Sequence, residues 1–233
     1  MDAVADLRAQ DCGIISMLGL TFGARAKPGF EILCIGAHSD DIEIGCGGTI
    51  LRLLDENPHA RVHWIVLSAT GERAAEALKS AELFLARAGT RQVIVQEFKD
   101  GYFPYVGGDI KGFFDDLKRR CSPDLILTHW RNDLHQDHRL VSELTWNTFR
   151  DHLIFEYEIV KYDGDMGTPN CFVQLSSSTS RTKVRYLMES FGTQKNRPWF
   201  SEDTFLAMLR LRGVECRAFD GLAEAFYCRK ARL

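Results

Sequence analysis

The chain has 233 residues, of which 45% are hydrophobic and 26% charged, with a formal net charge of −3. Those proportions exclude a disordered chain, a collagen and a coiled coil, and the absence of a basic excess argues against a nucleic-acid or anionic-membrane partner. The length is enough for one well-buried α/β domain.

Residues 1–29 show weak periodicity and form an N-terminal extension of uncertain structure. From Phe30 the pattern becomes regular. Phe30–Ala37 is a short apolar run, as expected of a strand buried on both faces. Gly45–Asn57 follows with helical spacing of Ile50, Leu51, Leu53 and Leu54, closed by Asn57-Pro58. Val62–Leu67 reads as a strand, Arg73–Arg87 as a helix ended by Gly89, and Gln92–Phe98 as a strand. Ile110–Arg120 is a helix, Asp124–Thr128 a strand, and Gln136–Arg150 a helix. This alternation predicts a Rossmann-like parallel sheet flanked by helices. The remainder differs: strands at Ile154–Val160 and Cys171–Leu175, helices at Ser180–Phe191 and Glu202–Arg212, and a last strand at Ala223–Lys230. They predict a mixed or antiparallel C-terminal extension of the same sheet, so 30–233 is read as a single domain.

No apolar run approaches the roughly 18 to 20 residues of a membrane span. Seven cysteines, an odd number without CxxC spacing, read as a reduced set, so the expected location is cytoplasmic.

In open α/β sheets ligands bind outside the carboxyl ends of the strands. Two such ends carry unusual residues here. After the first strand come His38, Asp40, Asp41 and Glu43; after the fourth come Asp133, His135, Asp137 and His138. Imidazoles mixed with carboxylates at strand ends suit a divalent transition metal, and two histidines with one aspartate leave a coordination position open for water. Taken alone, Asp40-Asp41 is more often a turn or helix start, and His135-x-Asp137-His138 equally a surface or structural pair. The conjunction of both clusters on one rim favours a site. Gly45-Cys46-Gly47-Gly48 lacks the order of a phosphate-binding loop.

Ala37-His38-Ser39-Asp40-Asp41-Ile42-Glu43, with Gly45-Cys46-Gly47-Gly48-Thr49 and His135-Gln136-Asp137-His138, resembles the motifs of the PIG-L/LmbE-like zinc N-deacetylases. Ala69-Thr70-Gly71-Glu72 and Ala223-Glu224-Ala225-Phe226 are similar to two further family segments. The resemblance implies an LmbE-like fold and removal of an N-acetyl group, a linear amide, from an N-acetylglucosamine-type sugar or its conjugate. It implies Zn²⁺, or another divalent transition metal, on His38, Asp41 and His138. Asp40 matches the general base, His135 the group that protonates the leaving amine or stabilises the oxyanion, and Asp137 the acid that orients a motif histidine. Ser39 and Gln136 replace two motif prolines. The family's Arg-x-x-Glu on the second helix is matched to Lys79-Ser80-Ala81-Glu82, with Lys for Arg.

Glu72, Lys79, Asp133 and Glu224 are the candidate substrate-binding residues, with Tyr102, Trp130 and Trp199 as aromatic candidates. The expected partner is a small N-acetylated sugar; a homo-oligomer is also open, Trp199 and Phe200 suiting an interface if exposed. Two other classes compete. A metal-dependent glycosyltransferase would use Ser39-Asp40-Asp41 with an oxygen-preferring metal, leaving His38, His135 and His138 idle. A non-catalytic nucleotide- or carbohydrate-binding module would need neither transition metal nor Asp40.

Overall fold

The computed structural model describes residues 29–232, so the predicted extension over 1–29 lies, Gly29 apart, outside the described residues. A seven-stranded sheet is built from β1 (Glu31–His38), β2 (Arg61–Ser68), β3 (Thr90–Val95), β4 (Leu125–His129), β5 (Leu153–Tyr157), β6 (Cys171–Gln174) and β7 (Ala223–Cys228). Its order is β3-β2-β1-β4-β5-β7-β6. The first five strands run parallel, whereas β7 pairs antiparallel with both β5 and β6. Among the described residues six helices cover the sheet: α1 (Asp41–Glu56), α2 (Gly71–Phe84), α3 (Gly107–Arg120), α4 (Gln136–Thr148), α5 (Ser177–Ser190) and α6 (Glu202–Glu215).

Strand β1 shows why both faces are covered. Ile32 and Cys34 enter the core under α1, α2, α5 and α6, while Leu33, Ile35 and Ala37 enter the one under α3 and α4. Every one of these side chains is fully buried. The chain winds outward from β1 to β3 and then returns to β4 on the other side, so a topological switch point lies between β1 and β4. A crevice forms at the carboxyl ends of those two strands.

The largest departure from the sequence reading is the start of α1. It begins at Asp41, not Gly45, with Ile44 N donating to the Asp40 carbonyl at 3.0 Å. The glycines do not delay the helix, because their lack of a side chain is what lets it lie flush on its neighbours. A Cβ at Gly45 would collide with the Tyr157 ring, and one at Gly47 with Phe84. The Gly-rich run is therefore a packing surface.

Burial raises the thiols of Cys34 and Cys46, as expected of small core hydrophobes. Phe200 is 2% exposed and packs edge-on against Phe191 and Phe205, so it belongs to the core rather than to an interface. Among the described residues no helix is long and apolar enough to cross a membrane.

Candidate active site

The two motif segments meet at the switch point. His38 is the last residue of β1, Asp40 sits at the head of α1, and Asp41 opens its first turn. Across the crevice, β4 ends at His129, and His135 caps α4 with its Nδ1 accepting from Asp137 N at 3.2 Å. His138, one helical position beyond Asp137, points back over the strand ends. His38 Nδ1 lies 3.2 Å from His138 Nε2 and 3.4 Å from Asp41 Oδ2, and His138 Nε2 lies 3.6 Å from the same Asp41 oxygen. Tetrahedral bonds of about 2.0 to 2.1 Å require donor separations of roughly 3.3 to 3.4 Å. The triangle fits a zinc-sized ion.

The outer nitrogens of both histidines are held by carboxylates. His138 Nδ1 is 2.9 Å from Asp133 Oδ2, and His38 Nε2 is 3.2 Å from Asp137 Oδ2 and 3.0 Å from Asp100 Oδ1. Such contacts fix the ring orientation and turn the inner nitrogens toward one another, where a metal would be held. Asp133 is in turn held by Lys161 Nζ at 3.0 Å and accepts from His135 N at 2.7 Å. Asp137 also accepts from Gly101 N and Phe103 N, tying the loop after β3 to the site.

Asp40 stands apart from this donor set. Its Oδ1 accepts from Arg73 at 2.8 Å, while its Oδ2 is buried with no hydrogen-bond partner. A buried carboxylate oxygen without a partner costs about 1 to 3 kcal/mol or more, so its retention here points to a missing donor such as a water. Burial, reinforced by the neighbouring Asp41, raises the Asp40 pKa despite Arg73. Burial and the nearby His38 lower that of His135, keeping the ring neutral. For Asp133 the cost of burial is outweighed by His138, His129 and Lys161, and its pKa falls to about 2. Burial and His129 bring His138 down to about 4, so it presents a lone pair.

Of the expected site residues, His38, Asp40, Asp41, Asp133, His135, Asp137 and His138 come together. Three others do not. Glu224 is buried against α1 and α5, accepting from Gly48 N at 2.8 Å and Thr49 N at 2.6 Å and pairing with Lys183 at 2.5 Å. It fastens β7 to α1 and α5. Lys79 is exposed and donates to the Glu189 carbonyl. Glu72 is exposed at the start of α2. Asp133, 1% exposed, is engaged in holding His138 rather than free for a sugar. Trp130 is stacked on Tyr227, with ring centroids 4.6 Å apart.

The site also contains residues the sequence reading passed over. Arg73 reaches Asp40 and Glu76 accepts from Thr193, so Arg73-Ala74-Ala75-Glu76, six residues before the chosen match, is the Arg-x-x-Glu that meets the cluster. That spacing was legible. His129 lies 3.2 Å from Asp41 Oδ2 and stacks on His138 at 3.9 Å; its place at a strand end was the available signal. Nothing local marks Lys161 or Asp100.

Residues 33–149 match the family model described as PIG-L: GlcNAc-PI de-N-acetylase. Over 119 residues the chain is 29% identical to an Escherichia coli K12 protein named uncharacterized deacetylase YaiS, the alignment covering 47% of this chain and 63% of that relative. The chain thus spans less than two thirds of that protein. Among solved structures, 4-carboxy-2-hydroxymuconate hydratase GalB from Pseudomonas putida KT2440 is similar with a TM-score of 0.70 at 18% identity, covering 88% of this chain and 98% of the other. N,N'-diacetylchitobiose deacetylase from Pyrococcus horikoshii is similar with a TM-score of 0.61 at 18% identity, covering 84% and 82%. These likenesses establish the LmbE-like fold. A hydratase and a deacetylase share it, so the fold alone does not choose the reaction.

Proposed function

The chain belongs to the GlcNAc-PI de-N-acetylase (PIG-L) family, and on that premise we propose that it is a metal-dependent hydrolase removing the acetyl group from an N-acetylglucosamine-type sugar or its conjugate. The observation that carries this reading is the donor triangle of His38, Asp41 and His138 beside a carboxylate, Asp40, with one unpartnered oxygen. Two imidazoles and one carboxylate favour zinc or a similar divalent transition metal over the oxygen-preferring ions of glycosyltransferases. Such an ion supplies Lewis acidity to an amide carbonyl and to an attacking water.

The residues then divide the proton work. Asp40 Oδ2 accepts the proton of the attacking water, and its raised pKa brings it closer to the working pH of a general base. Arg73 holds the other oxygen, so the carboxylate keeps one orientation. An amide nitrogen leaves only when protonated. Asp40, once it holds the water's proton, can pass it to that nitrogen, while His135, its pKa lowered by burial and by His38, is the neighbouring imidazole that stabilises charge at the acetyl group. Asp133 and Asp137 hold the outer nitrogens of the two histidines, so that the inner ones would be the metal donors. Glu72, exposed beside Arg73, remains the candidate for a sugar hydroxyl.

Elemental analysis of the purified protein beside His138→Ala, together with acetate release from N-acetylglucosamine derivatives, tests the reading. About one metal ion per chain, lost in the variant along with acetate release, is expected. No bound metal after zinc addition, or acetate release that survives the loss of metal, would overturn it.

A further inference from the structure

The family match ends at residue 149, yet one charged group that supports the candidate metal donors comes from beyond it. Lys161 lies in the 158–170 connection between β5 and β6. Its side chain is only 9% exposed, and Nζ sits 3.0 Å from Asp133 Oδ2 and 2.5 Å from Asp165 Oδ2, both carboxylates being buried. Among the described residues it is the one lysine or arginine that pairs with a carboxylate holding a donor histidine.

A buried ammonium between two buried carboxylates is costly to desolvate and is repaid only where further hydrogen bonds complete the cluster. Here those bonds fall on the segment that opens α4. Asp133 Oδ1 accepts from His135 N at 2.7 Å, and its Oδ2 meets His138 Nδ1 at 2.9 Å. Asp165 Oδ2 accepts from Leu134 N at 2.7 Å. Two successive backbone N–H groups and one histidine ring thus converge, through two carboxylates, on one ammonium. The connection that carries Lys161 is itself fastened from the far side. Arg212 on α6 donates to Glu158 at 2.7 Å and to the Gly167 carbonyl at 3.2 Å, and Glu158 accepts from Gly167 N and from the Tyr227 hydroxyl. Without Lys161 the charges of Asp133 and Asp165 would repel one another in a poorly screened place, and the groups they hold would move with them.

We propose that Lys161 is a positioning residue for the reaction: by drawing Asp133 and Asp165 onto one point it fixes His135 and His138 relative to β4, and so sets how tightly the donor triangle holds its metal. This rests on the metal-hydrolase reading above and adds to it a residue of the connection that follows β5.

Lys161→Met alone would leave two buried carboxylates facing one another, so the test uses Lys161→Met/Asp165→Leu, which removes one charge of each sign and keeps Asp133. Competition with a chelating dye should show zinc affinity about 10- to 100-fold below native. With zinc saturating, kcat for acetate release from an N-acetylglucosamine derivative should fall about 10- to 100-fold with KM unchanged, because the displaced groups are those of the reacting centre. In metal-free protein the His135 amide, whose acceptor Asp133 is still present, should exchange its hydrogen about tenfold faster. Native zinc affinity and native kcat in the folded double variant would reduce Lys161 to a partner for buried acids and overturn the proposal. Unchanged exchange at His135 overturns it as well, whether or not the native protein binds zinc. Absence of zinc binding by the native protein would sink the hydrolase reading alone, and faster exchange would still support the placement of His135 by Lys161.

Discussion

The two ends of the same strands carry similar residues in opposite conditions. At the amino end, His63 on β2 lies 2.9 Å from Gln92 and 3.0 Å from Glu31, and Glu31 also accepts from Ser122 N. Each ring nitrogen there has a partner. At the carboxyl end, the inner nitrogens of His38 and His138 face one another across 3.2 Å, and Asp40 keeps a buried oxygen with no partner. Both ends mix imidazole with carboxylate. What separates them is satisfaction: a buried polar cluster that completes its own hydrogen bonds is architecture, and one that stops short is built for something it lacks.

The sharpest way to break this comparison is Asp40→Asn. It preserves shape and the contact with Arg73 but removes the proton acceptor. Turnover measured by acetate release should fall by about 10²- to 10⁴-fold with metal content unchanged. Near-native turnover would return Asp40 to the structural class.

A pH experiment on metal-free protein comes next. His138 has its pKa lowered to about 4 in the fold, against about 6.5 when unfolded. The unfolded chain therefore binds more protons between those values, and this group's stability is lost as pH falls from about 6.5 to 4. The loss amounts to roughly 3 kcal/mol. Urea unfolding at both pH values should show it, and His138→Gln should lack that component.

At the amino end, His63→Ala leaves Glu31 without its imidazole and should cost about 1 to 3 kcal/mol in stability. Metal content and kcat/KM of the folded protein should not change, and a loss of either would blur the distinction between the two ends. Asp133→Asn should weaken metal affinity by about 10- to 100-fold, read by competition with a chelating dye. Smallest of all, Lys79→Ala should leave kcat/KM within error of the native value, since its side chain is exposed and donates to Glu189.

Much of this was legible in the chain itself. Buried parallel strands need continuous apolar runs, and Ile32–Ala37 and Val62–Leu67 supply them; the helices between them follow from spacing. The motif residues His38, Asp40, Asp41, His135, Asp137 and His138 were readable because each lies at a strand end or helix start, where short-range order already fixes their place. The surroundings of Glu224 and Asp133 were not legible, for a common reason. A carboxylate's role depends on what lies across from it, and their partners, Lys183 on α5 and His138 with Lys161, come from elsewhere in the chain. Arg73 was missed although its spacing was present.

The sequence by itself determined the alternation of strands and helices and the identity of the donors, because periodicity and residue chemistry are local properties. The tertiary structure decided which buried charges are satisfied and which are left open. It brought β1 and β4 side by side at the switch point, closed Lys183 onto Glu224, and left Asp40 Oδ2 unpaired. Hydrogen-bond satisfaction is a property of pairs, and these partners lie far apart along the chain.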